Sequence, residues 1–61
     1  MNEEMWERVC DCVSARLKKK EHFYSAVKNG LLDCGIRDYD QRPRYYCQEV
    51  GKRLGARRRK K

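Results

Sequence analysis

Apolar side chains recur along the first third of the chain at steps of three and four: Met5 and Trp6, Val9 and Cys10, Val13, then Leu17. That period lays them on one stripe of an α-helix, so the spacing predicts a helix over about residues 3–20. Asn2 stands where an N-cap belongs. Glu3, Glu4 and Glu7 near the start, and Arg16 with Lys18, Lys19 and Lys20 near the end, complement the helix macrodipole, and Glu4 with Arg8 forms a favourable i,i+4 pair.

A second stripe runs through Phe23, Val27, Leu31 and Cys34 and predicts a helix from His22 to about Cys34. Asn29-Gly30 interrupts it. Either the helix tolerates Gly30, at about 1 kcal/mol, and ends with Gly35 at C′, or it stops at Gly30 and restarts near Leu31. The third stripe is Tyr46, Val50 and Leu54, with Cys47 adjoining. Asp40 is its expected N-cap, which places Pro43 in the first turn, where a missing N–H costs nothing. Gly51 and Gly55 weaken its far end, and residues 56–61 are expected to fray. The expected fold is all-α: a small three-helix bundle over residues 1–55 with a basic, partly disordered C-terminal tail over residues 56–61.

Between His22 and Gln41 the chain resembles a helix-turn-helix at a few positions: small Ala26, Gly30 four residues later at the turn, Leu31 after it, and Ile36 with Tyr39 facing inward. The resemblance covers about 20 residues and implies a recognition helix presenting Asp33, Arg37 and Asp38 to a DNA groove. It departs from the pattern at Asn29, where an apolar residue is usual, and at Gly35, a poor choice inside a recognition helix. Two carboxylates there would also repel phosphates. The plain bundle is the preferred reading.

Composition narrows the picture. The strong core formers Val, Leu, Ile and Phe fill ten of the 61 positions, below the ~20% at which charged chains risk disorder. Tyr, Cys, Ala, Met5 and Trp6 must therefore complete the core, and a dimer mate, metal, disulfide or other partner could supplement it. A deep catalytic cleft would consume most of so small a core, so a non-enzymatic role is expected. No apolar run is long enough to span a membrane, and the acidic start lacks the layout of a secretory signal; the expected compartment is cytoplasmic, or the nucleoid or nucleus for a eukaryotic or viral source.

The charge is unevenly placed. The chain carries +7 overall, but residues 1–41 hold seven Lys and Arg against eight acids, whereas residues 42–61 hold nine against one. Clustered Arg and Lys bind phosphate backbones through counterion release and forked hydrogen bonds. Arg42, Arg44, Lys52, Arg53, Arg57, Arg58, Arg59, Lys60 and Lys61 are thus the expected nucleic-acid contacts. Tyr45 joins them, because Tyr45 and Tyr46 cannot both be buried on one helical face. The alternatives for the run are a solvated terminus or a nuclear-localisation signal.

The four cysteines, Cys10, Cys12, Cys34 and Cys47, lack the paired spacing of zinc ribbons. Cys10, Cys34 and Cys47 fall one to a helix on or beside the apolar stripes, which favours core packing over a three-thiolate site completed by His22 or disulfides. Cys12, off the stripe, is the expected exposed thiol. His22, the lone imidazole, has no partner of catalytic type and reads as a surface residue at a helix junction. No cofactor or metal is expected. The function these features favour is a small nucleic-acid-binding accessory or regulatory protein, contacting DNA or RNA phosphates through its basic last third. The second reading is a protein–protein adaptor or inhibitor, with a homodimer as one form of it, docking through the acidic, aromatic first helix (Glu3, Glu4, Met5, Trp6, Glu7).

Overall fold

A computed structural model describes residues 1–59. It contains α1 (Glu3–Lys18), α2 (Phe23–Asp33) and α3 (Pro43–Arg59), with a short 3-10 turn at Tyr39–Gln41 leading into α3. The chain is a three-helix bundle, as the periodicity predicts. Its radius of gyration of 10.7 Å matches the ~10.5 Å expected of a folded chain this long.

α1 begins where expected: the Asn2 side chain accepts a hydrogen bond from the Met5 amide at 2.9 Å. It ends two residues sooner than the basic run implied. Lys20 takes a left-handed conformation (φ 64°), and its amide donates to Leu17 O while that of Glu21 donates to Arg16 O. These two bonds make a Schellman stop. No glycine marks it in the sequence. The corner is tied instead by side chains, since Arg16 pairs with both Glu21 and Asp33 and Glu21 accepts from the Asn29 amide.

α2 passes through Gly30 without a break. A Cβ on Gly30 would lie 2.7 Å from Val13 Cγ2, so the missing side chain is what lets α1 and α2 approach there. The helix then stops as expected at Gly35 (φ 82°), with Gly35 N–H donating to Leu32 O and Ile36 N–H to Leu31 O. This continuity corrects the helix-turn-helix resemblance: its turn residue lies inside a helix, and no helix spans Ile36–Asp38. His22 is the exposed N-cap of α2, its Nδ1 accepting from the Tyr24 amide.

Asp40 is not the N-cap of α3. It sits in the 3-10 turn, and its carboxylate lies 3.9 Å from Lys28 Nζ. The turn is held by Gln41 and Arg42 amides donating to Asp38 and Tyr39 carbonyls, and Asp38 accepts from the Tyr46 hydroxyl. Pro43 opens α3, where its fixed φ suits the first turn. α3 then runs through Gly51 and Gly55 to Arg59. Residues 56–59, expected to fray, are helical, and Arg57 among them is bonded to α1, as described below. Lys60 and Lys61 lie outside the described residues.

Trp6, Val9, Val13, Ala26, Val27, Leu31, Tyr46 and Val50 form the core, ringed by Leu17, Phe23, Cys34, Ile36, Tyr39, Cys47 and Leu54. Aromatics fill the shortage of aliphatics. Trp6 is only 3% exposed and packs against Tyr45 and Tyr46 at centroid distances of 6.1 and 6.2 Å.

Candidate nucleic-acid interface

α3 displays its charges on different sides, because residues advance about 100° each around a helix. Arg53 and Arg57 turn toward α1. Both Arg53 terminal nitrogens bond the Glu3 carboxylate, at 2.8 and 2.9 Å, its Nε reaches Glu49, and its guanidinium lies 5.0 Å above the Trp6 ring. Arg57 bonds Glu7 and Asp11, each at 2.9 Å. Glu3, Glu7 and Asp11 thus form a ladder at four-residue spacing along α1 that meets a matching Arg ladder on α3. The sequence reading placed Arg53 and Arg57 among the phosphate contacts. In the structure a phosphate would have to displace a carboxylate to reach either one.

The ladder has a measurable signature. Hydrogen bonds from Arg53 hold the Glu3 carboxyl below its ordinary value. A depressed carboxyl contributes stability that is fully present above its unfolded pKa and is lost as pH falls through the folded value. Chemical denaturation should therefore show stability declining below about pH 4.5, with a shallower decline in Glu3→Gln. Identical pH profiles for the two proteins would discount the Glu3 contact.

Arg44, Lys52 and Arg59 point the other way, within about a quarter-turn of one another. All three are exposed, as are Arg42 and Arg58, and none of the five has a carboxylate partner among the described residues. Tyr45 is the exposed member of its pair at 44%, against 5% for Tyr46, and the Arg42 guanidinium lies 5.9 Å from its ring centre. Lys18 is a neighbour the sequence reading missed. With Arg57 and Arg58 it lines an open cleft of about 380 Å³ floored by Leu17 and Leu54. Its signal was the basic end of α1, which was assigned only to the helix dipole.

The face of α1 offered to a protein partner is largely used inside the molecule. Trp6 is core, and Glu3 and Glu7 are engaged by α3. The four cysteines are free thiols. Cys10 is buried, which pushes its thiol upward. Cys12 is half-buried, as are Cys34 and Cys47, and it neighbours Cys34, whose thiol is raised first by burial and then by Cys12. Among the described residues no three Cys, His or acidic side chains converge as metal ligands, so the three-thiolate arrangement with His22 is not assembled. No helix among them is long and apolar enough to cross a membrane. No family model, curated protein or solved structure matches the chain.

Proposed function

We propose that the chain is a non-enzymatic nucleic-acid-binding accessory protein that contacts phosphates through the exposed basic residues of α3 and of the turn before it. The observation that carries this reading is the division of the basic residues. After α1 has taken up Arg53 and Arg57, Arg42, Arg44, Lys52, Arg58 and Arg59 remain exposed and without carboxylate partners among the described residues. From Arg44 to Arg59 the helix extends about 22 Å, roughly six phosphate steps along one strand of a duplex. Few neutral hydrogen-bonding side chains accompany these charges, so affinity should depend strongly on salt and weakly on sequence.

Titration of labelled oligonucleotides at several salt concentrations tests the reading. Four or five phosphate contacts predict a log–log slope of about −3 to −4.5, and the triple variant Lys52→Ala, Arg58→Ala, Arg59→Ala should make it shallower by about two to three. Affinity indifferent to salt and to those substitutions would overturn it. Point substitutions are a sharper test than deleting residues 56–61, because deletion also removes Arg57 from α1.

A further inference from the structure

We infer that the groove between the starts of α2 and α3 is a stacking site for an unpaired nucleobase, which makes single-stranded nucleic acid the favoured ligand. The inference rests on the phosphate reading above and names the ligand class of the same surface. The groove has a volume of about 330 Å³ and is lined by Tyr24, Tyr39, Pro43, Arg44, Cys47 and Gln48, at the lower end of small-ligand sites.

Tyr24 forms one wall. It is 60% exposed, more than any other large apolar or aromatic side chain described, and the core makes little use of it. Its ring is nonetheless placed by neighbours, stacked on His22 at 5.5 Å and edge-on to Phe23 at 5.8 Å. Tyr39 is fixed more firmly. It stacks on Tyr46, and its hydroxyl is in hydrogen-bonding contact with Cys47 Sγ at 3.5 Å. The same groove is lined by Arg44, whose guanidinium has no acid partner among the described residues, and by Gln48, whose amide makes no hydrogen bond among them. The acid beside Tyr39, Asp40, is offset by Lys28.

A held but exposed ring, a guanidinium without an acid partner and an uncommitted amide match the parts of a nucleotide: face, phosphate and base edge. An acidic peptide would satisfy Arg44 but leave the ring without a role. A purely apolar ligand would leave the guanidinium without one. In a duplex the base faces are covered by their neighbours, so only a single strand can offer one to Tyr24.

The test is fluorescence anisotropy with labelled oligothymidylate and with a duplex of equal length, at one salt concentration, for the wild type, Tyr24→Ala and Tyr24→Phe. The wild type should prefer the single strand. Tyr24→Ala should weaken single-strand binding about tenfold or more, leaving duplex affinity and the salt slope unchanged. Tyr24→Phe should keep most of the preference. Tyr24 is exposed, so thermal melts of all three proteins should coincide. Salt-dependent binding of both ligands that prefers the duplex, or that ignores Tyr24→Ala, overturns this inference and leaves the phosphate reading standing. Absence of salt-dependent binding to either ligand overturns both.

Discussion

Trp6→Ala should abolish cooperative folding or bring it close to its limit. Removing a buried aromatic and leaving its space costs about 3–5 kcal/mol, while a chain of this length has a total stability of roughly 3–9 kcal/mol. The loss also spreads beyond the cavity. Tyr45 and Tyr46 lose the ring they pack on, and Arg53 loses the aromatic face beneath its guanidinium, a contact of about 0.5–2 kcal/mol. Thermal and urea denaturation followed by circular dichroism should show a broad transition or none, with Trp6→Phe intermediate. A Trp6→Ala protein that melts cooperatively within a few degrees of wild type would contradict the assignment of Trp6 to the core.

The second large effect is a sign reversal between two glycines. Helix propensity alone favours Gly→Ala by about 1 kcal/mol at either position. At Gly55 nothing opposes that gain, since the nearest atom to an added Cβ is the end of the flexible Arg59 side chain at 4.0 Å. At Gly30 the Cβ meets Val13 Cγ2 at 2.7 Å, and Val13 is a stiff β-branched side chain that is fully buried. Overpacking of that kind costs about 1–3 kcal/mol. Gly55→Ala should therefore raise Tm by several degrees and Gly30→Ala should lower it, at about 4–8 °C per kcal/mol for a domain of this size. Equal stabilisation by the two substitutions would show that α1 and α2 do not approach at Gly30.

The helices were legible in the sequence because stripe period, Asn2, Pro43 and Gly35 all act locally. Gly30 was undecidable there. Whether a mid-helix glycine breaks the helix or admits a neighbour depends on which residue faces it, and Val13 is 17 positions away. The end of α1 was misplaced for a related reason, since Lys20 adopts a conformation usually left to glycine and the Arg16, Glu21 and Asn29 side chains tie the corner. Asp40 looked like a cap because its type and its distance from Pro43 were right. The chain instead forms a 3-10 turn that gives Asp38 to Tyr46. Exposure of Tyr45 was foreseeable from its adjacency to Tyr46 together with the stripe that Tyr46 shares with Val50 and Leu54.

The basic residues were found by counting, but their division was not. Glu3, Glu7 and Asp11 repeat every four residues, as do Arg53 and Arg57, and that shared interval was the available sign of a cross-helix ladder. The dipole of α1 accounts locally for Glu3 and Glu7, which masks the ladder, but it does not account for Asp11 at mid-helix. The groove beside Tyr24 had no sequence signal, since its six lining residues come from α2, the 3-10 turn and α3 and are brought together only by the fold.

The same ladder gives the molecule a direction. One flank of α3 is neutralised against α1 while Arg44, Arg58 and the outward residues keep their charge, so the +7 of the chain is spread as a lopsided field. Such a field acts before contact: over a Debye length of about 8 Å at physiological salt it applies a torque to a protein drifting near a polyanion. Encounters would begin already turned with α3 foremost, and the ladder's contribution would appear in the association rate.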